Sequence, residues 1–388
     1  MEIACWFTPA RSVLLLLTLL MTLLSCRGTA GVASAGGEAG AADGSWDWED
    51  TIGGTTRKCR WARFKPPIAR RGDVRRRAQV CIRPGKDILS DAIAKYQYWD
   101  ECADLPLLHA FAAGTDDSAL FVDVGANIGA CSLHVLLASA APPPIVAFEP
   151  SEDNLFFFTS SLLLWHQRSR SDSSSDQTRG LERPSLGPSR FTLYPFALGS
   201  ADTSRPLHQA KGNGGHARIA TPGEKATRWA PYGLEPEQAV RIRTLDSVLW
   251  PDRPPHRTAS VSAAAAAAAP PPKIALLKLD VEGYECLALQ GMSRLLEARA
   301  IRAIKVEVFD ELLRLQGCSA IALQRALVAH GYELHLAPSA GAVGEQTPRV
   351  AEQTLVAAIA ATPLSADVVH GRAEQYNLYA TLPAGVVL

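Results

Sequence analysis

The feature that most narrows the fold of this chain is a set of short apolar runs, each carrying an acid at or near its end and leading into a helix-patterned stretch. Ala119–Val124 bears Asp123 and leads into Ile128–Ala138. Ile145–Phe148 stops at Glu149, ahead of Glu152–His166. Ile274–Leu279 stops at Asp280, ahead of Tyr284–Arg299, and Ile301–Phe309 carries Glu307 ahead of Ser319–His330. Strands that alternate with helices predict a parallel sheet covered on both faces, an α/β fold. Phe191–Ala197 and Val240–Thr244 read as further strands. Tyr332–Leu336 and Tyr376–Thr381 close the pattern as an antiparallel edge. Upstream, Lys86–Ala112 reads as helical, broken at Pro106.

Three segments carry chemistry. In FVDVGANIG, Phe121 to Gly129, a strand delivers Asp123 to a turn containing Gly125, Asn127 and Gly129, and the turn opens a helix. Glycines admit close backbone approach, and a helix start offers free N–H groups to an anion. A nicotinamide dinucleotide needs glycine at the middle position, where Asn127 stands. An acid beside such a turn suits S-adenosyl-L-methionine, which has a cationic amine and a carboxylate. In VAFEP, Glu149 ends the next strand, where an acid can accept hydrogen bonds from both ribose hydroxyls. In LLKLDVEGYE, Leu276 to Glu285, a strand brings Lys278, Asp280, Glu282 and Glu285 around Gly283. Ligands in open α/β sheets sit at the carboxyl ends of strands, so Asp280 is expected to face the reacting methyl. Such carboxylates can orient or deprotonate a hydroxyl, balance a sulfonium or hold a metal; they can equally cap the following helix. No paired Cys/His spacing points to a structural zinc site, and no metal is assigned.

In this order the motifs resemble the FkbM family of methyltransferases, from about Lys86 to Thr381. The likeness includes KDILSDAI, the FALG segment ending at Ala197–Gly199, NGG at Asn213–Gly215, VRIRTLDSVL around Asp246 and KVEVF at Lys305–Phe309. It implies a Rossmann-like class I methyltransferase: a seven-stranded, mostly parallel sheet with an antiparallel edge strand and helices on both faces. Asp123, Gly125, Asn127, Gly129, Glu149 and Ala197 would bind S-adenosyl-L-methionine. Asp280, with Glu282 as partner, would be catalytic, Glu307 would shape the acceptor side, and His216 is a second candidate base. The reaction implied is methyl transfer to a hydroxyl of a glycan or small metabolite. The alternative is an inactive binding protein of the secretory pathway on the same fold.

The N-terminus points to that pathway. Arg11 precedes the apolar run Val13–Leu24, 12 residues against the roughly 20 that span a bilayer. Ala33-Ser34-Ala35 fits a cleavage signature, so 1–35 reads as a signal peptide, with a short membrane anchor or an organelle signal as alternatives. Residues 36–85 read as a linker and a basic segment, largely disordered, and 86–388 as the methyltransferase domain, with low-complexity insertions near 168–190 and 251–273. Between Arg57 and Arg77 ten Lys or Arg face one acid, Asp73. The segment is read either as solvated or as a contact for an anionic glycan or lipid surface, with Trp61 and Phe64 available for stacking. The formal net charge is zero, so nucleic acid is not expected as a partner. Eight cysteines in a secreted chain allow disulfides. Cys59, Cys81 and Cys102 are the better candidates, while Cys131 and Cys286 read as buried thiols.

Overall fold

Strands form where apolar runs are long enough to be covered from both sides. The computed structural model describes residues 58–65, 78–85, 87–114, 116–138, 142–171, 190–211, 213–221, 233–234, 237–251, 270–337, 357 and 375–383. The leader, most of the linker and basic segment, and the bulk of both low-complexity insertions lie outside the described residues. In chain order the strands are β1 (Arg60–Phe64), β2 (Ala78–Ile82), β3 (Leu120–Val124), β4 (Ile145–Phe148), β5 (Phe191–Tyr194), β6 (Ala197–Leu198), β7 (Thr203–Ala210), β8 (Asn213–Ile219), β9 (Gln238–Arg243), β10 (Ile274–Leu279), β11 (Ile301–Phe309), β12 (Glu333–Leu336) and β13 (Gln375–Thr381).

Seven of them make the main sheet, in the order β12-β13-β11-β10-β3-β4-β5. Pairings among β11, β10, β3, β4 and β5 are parallel. β13 runs antiparallel to both β11 and β12. The expected antiparallel edge is thus corrected: the reversed strand is interior, between β11 and β12, and shields both from water on their adjoining sides. All six residues of β10 are buried, as a central strand covered on both faces requires. Each buried leucine there contributes about 1.5–3 kcal/mol. Because β3, β4, β10 and β11 run the same way, Asp123, Glu149, Asp280 and Glu307 are delivered at or near one edge of the sheet.

A second sheet, β6-β9-β7-β8, departs from the single-sheet expectation. Pro195, which has no N–H to donate, ends β5, and Ala197–Leu198 then pairs with β9. Of the expected strand Val240–Thr244, residues 240–243 likewise fall in this sheet, within β9, and Thr244 caps the next helix. Pro106 does not break a helix either. It sits in the first turn of Leu105–Ala113, where the missing N–H costs nothing. The helix expected over Tyr284–Arg299 is split into Glu285–Gln290 and Ser293–Glu297. Asp246 caps the second piece, accepting from the N–H groups of Arg294 (2.9 Å) and Leu295 (3.1 Å).

The stretch read as linker and basic segment contains the β1–β2 hairpin. Its inward side chains Phe64 and Ile82 are fully buried in the main core. Phe64 packs edge-on against His134 at 5.0 Å and so is withdrawn from any surface contact; Trp61 remains 44% exposed. Three disulfides join Cys59 to Cys81, Cys102 to Cys131 and Cys286 to Cys318. The expectation of free buried thiols at Cys131 and Cys286 is corrected, since each faces a cysteine distant in sequence. Among the described residues no helix is long and apolar enough to cross a membrane.

Candidate active site

A cleft of about 310 Å³ opens at the carboxyl ends of β3, β4 and β10, with β8 as its opposite wall. Gly125, Asn127, Glu149, Ala197, Asp280 and Glu282 line it, as do Glu101, His216, Lys278 and Glu307. Asp123 and Gly129 do not.

The glycine turn is shaped by a close backbone approach. Gly125 has φ +80°, and a Cβ there would lie 1.8 Å from the Asp280 carbonyl oxygen. Asn127 is also left-handed, at φ 54°, a region that asparagine tolerates better than most residues. Four amides of this turn, those of Gly125, Ala126, Asn127 and Gly129, are already engaged, contrary to the expectation that they are free for an anion. Gly125 and Ala126 both donate to the Phe148 carbonyl (3.1 and 2.9 Å), and Gly129 to that of Ala126 (2.8 Å). The Asn127 N–H donates to Glu149 Oε2 at 2.7 Å. The Asn127 side-chain Oδ1 is buried and lacks a hydrogen-bond partner among the described residues. Gly129 packs against Phe158, away from the cleft.

Asp123 is fully buried. It accepts from Ser132 Oγ at 2.7 Å and lies 3.3 Å from Lys278 Nζ. The register that sets Lys278 beside Asp123 on the paired strands produces this contact. Asp123, expected to meet a cofactor amine, thus faces Ser132 and Lys278 and does not open on the cleft. Lys278 Nζ also donates to the Gly125 carbonyl (2.8 Å) and meets Asp280 Oδ2 at 3.2 Å. Burial works against the Lys278 charge, but Asp280 and Asp123 outweigh it and raise the pKa above the usual lysine value. One ammonium thus ties the turn, β3 and the Asp280 carboxylate together.

Glu149 is 3% exposed. Its Oε1 accepts from the Ser151 N–H (2.8 Å) and Asn154 Nδ2 (3.1 Å). Burial raises its pKa, opposed by these hydrogen bonds and the one from Asn127.

At the other end, one carboxylate oxygen from each of Asp280, Glu282 and Glu307 lies within 4.8 Å of the others, a grouping with the hard-oxygen chemistry of a divalent-cation site. Burial, then Asp280, then Glu285 push Glu282 well above the usual carboxylate range. Burial, Asp280 and Glu282 do the same to Glu307, which accepts from Gln375 Nε2 at 2.6 Å. Glu101 is raised by burial and by Asp280. Glu285, although it accepts from the Val281 and Gly283 N–H groups (3.0 and 3.2 Å), is pushed up by burial to about 7. His216 moves the other way: burial lowers its pKa, against Asp280 and Asp87. Like charges crowded in a dry site favour shared protons over full ionisation.

Sequence reasoning missed Glu101. It sits on a short 3-10 turn, Asp100–Cys102, anchored by the Cys102–Cys131 bond and by Lys305 Nζ, which donates to the Glu101 carbonyl at 2.5 Å. Nothing in the local pattern distinguishes this glutamate from a solvated one.

The geometry defines an α/β chain with a cleft at the carboxyl ends of its parallel strands, beside a carboxylate cluster. The methyltransferase FkbM domain family matches residues 123–333, and the chain belongs to this FkbM methyltransferase family, with an α/β class I fold. Members of methyltransferase families generally use S-adenosylmethionine. Among solved structures, the chain is similar to methyltransferase FkbM from Methylobacillus flagellatus KT, at 16% identity and a TM-score of 0.32, over 57% of this chain and 40% of that one. It thus spans less than two thirds of that protein. It is also similar to precorrin-6y C5,15-methyltransferase from Geobacter metallireducens GS-15, at 12% identity and a TM-score of 0.26, over 61% of this chain and 74% of that one. No curated protein matches the chain.

Proposed function

We propose that this methyltransferase transfers the methyl group of S-adenosyl-L-methionine to a hydroxyl of a glycan or small metabolite. The observation that carries the reading is that Glu149 and Asp280 end strands on either side of the glycine turn and open on one cleft. The residues present fit the cofactor. Glu149 keeps acceptor capacity on Oε2 for the ribose diol. The unpartnered Asn127 Oδ1 is an acceptor for the methionyl ammonium. Phe148, Pro150 and Ala197 supply apolar wall for the adenine. When bound, S-adenosyl-L-methionine supplies an electrophilic methyl and a thioether leaving group.

The chain's own residues then have a short list of tasks. Lys278 fixes Asp280 at the methyl end of the cleft. Asp280 orients the acceptor hydroxyl, with Glu282 as partner, and the hydroxyl proton passes to Asp280 or to His216 as the new C–O bond forms. An alcohol is a weak nucleophile, so positioning and a proton acceptor together carry the rate. Glu307 and Glu101 wall the acceptor side. Work in the secretory pathway is part of the proposal and is supported by three disulfides, which persist in oxidising compartments. The basic segment at 57–77 is proposed as a contact for an anionic glycan or lipid surface.

The test is transfer of labelled methyl to a panel of hydroxylated glycans and metabolites, followed by mass spectrometry of the product. Methyl ether formation supports the proposal. Labelled product bearing the methyl only on nitrogen or carbon contradicts it.

A further inference from the structure

Arg83 follows β2, lies outside every motif above and is 8% exposed. Its guanidinium is held on several sides. Nη2 donates to Asn154 Oδ1, Nε donates to Asp153 Oδ2 at 3.1 Å, and Nη1 lies 3.6 Å from Asp87 Oδ2. The charge also rests over the Phe157 ring, 5.0 Å from its centroid. Asn154, 1% exposed, points its other end at Glu149, to whose Oε1 Nδ2 donates at 3.1 Å. A carboxamide whose oxygen is engaged by a guanidinium can offer only its NH₂ group on the opposite side. Arg83 therefore decides that a donor faces the Glu149 carboxylate; the flipped amide would set oxygen against oxygen.

The NGG motif belongs to the same arrangement. β8 crosses directly over Arg83, and a Cβ on Gly214 would lie 2.1 Å from Arg83 Cζ and 2.3 Å from its Nε. The next residue, Gly215, comes close to the cofactor turn, its Cβ position 3.5 Å from Asn127 Nδ2. A side chain at Gly214 would force the guanidinium off Asn154 or lift β8 from the cleft.

We propose that Arg83 is a positioning residue for the cofactor ribose: it orients the Asn154 amide, which sets the Glu149 carboxylate, and Gly214 is the space that lets β8 close over it. The inference rests on the cofactor reading given above. With Oε1 engaged by Ser151 and Asn154, and Oε2 engaged by Asn127, the remaining acceptor direction of Glu149 is fixed before any ribose arrives. Such preorganisation appears as affinity and as discrimination between ribose and deoxyribose.

The experiment is calorimetry of the full chain with S-adenosylhomocysteine and with its 2′-deoxyribose analogue. Arg83→Ala, Arg83→Lys, Gly214→Ala, the Arg83→Ala/Gly214→Ala pair and Glu149→Gln are compared, each checked for folding by thermal unfolding. Loss of a hydrogen bond within a charged network predicts about a tenfold rise in Kd for Arg83→Ala. A smaller rise is expected for Arg83→Lys, and a reduced preference for ribose in both. Gly214→Ala should cost about as much as Arg83→Ala in the natural chain and nearly nothing once Arg83 is gone. Equal weakening of both nucleosides, or a Gly214→Ala penalty independent of Arg83, overturns the proposal. Binding that is lost in Glu149→Gln yet unchanged in both Arg83 variants overturns it while leaving the cofactor reading intact. A natural chain that binds neither nucleoside overturns both.

Discussion

Glu149 and Asp280 stand at equivalent strand ends in contrasting surroundings. Around Glu149 the protein supplies three donors, from Ser151, Asn154 and Asn127, which offset part of the cost of burying its carboxylate and fix its orientation before a ligand binds. Around Asp280 the carboxylates of Glu282, Glu307 and Glu101 crowd together, and Lys278 is the cation in contact with it. The contrast teaches a division of labour. Under the proposed function, the Glu149 end is preorganised to hold the nucleoside, while the Asp280 end gathers carboxylates whose repulsion a cationic or proton-donating ligand relieves.

The largest effect that can break this division is expected from Asp280→Ala. If the acceptor end carries the chemistry, methyl transfer falls by about 10²–10⁴-fold, with the affinity for S-adenosylhomocysteine much less changed. A variant that loses nucleoside binding but keeps turnover at saturating cofactor would reverse the assignment of the two ends. Next comes Lys278→Met, which leaves Asp123 buried and without its cation. Removing one partner of a buried pair costs about 3–5 kcal/mol, read as a shift in urea midpoint. Adding Asp123→Asn should recover part of it, and no recovery would mean that Lys278 stabilises mainly through Asp280 or Gly125. Opening the Cys102–Cys131 disulfide by the double alanine variant should cost about 2–4 kcal/mol. It should also raise the acceptor KM more than the cofactor Kd, because it frees the turn carrying Glu101. The last effect is a change of slope with pH. Burial pushes Glu285 up to about 7 from the ordinary 4.5. The folded chain therefore keeps this proton where the unfolded chain has lost it, and stability falls as pH rises from about 4.5 to about 7. Glu285→Gln, which mimics the protonated acid, should flatten that fall in denaturant titrations across the same window.

The same contrast marks what the sequence makes legible. Strands such as Ile301–Phe309 and the acids at their ends are written locally, in apolar runs that stop at a charge, so the parallel strands of the main sheet and the positions of Glu149, Asp280 and Glu282 near their ends are legible in the pattern. Partners distant in the chain are not written that way. Asp123 reads as a cofactor contact until the β3–β10 register sets Lys278 against it. The turn amides read as free until the Phe148 carbonyl takes two of them. Cys131 reads as a core thiol until Cys102 is brought to it. The β7–β8 hairpin is hard to read although Lys211-Gly212-Asn213-Gly214-Gly215 is a strong turn signal, because β7 has an irregular burial pattern, with exposed Thr203, Ser204 and Arg205. The β1–β2 hairpin hid inside a run of arginines whose alternate positions, Ala62 and Phe64, are core residues.

A crystal structure of the chain with S-adenosylhomocysteine tests the division between the two ends most directly. The ribose hydroxyls are expected on Glu149, the methionyl ammonium at Asn127 Oδ1 and the thioether sulfur directed toward Asp280. A nucleoside bound elsewhere, or bound in the cleft with its ribose at Asp280 and its sulfur at Glu149, would contradict it.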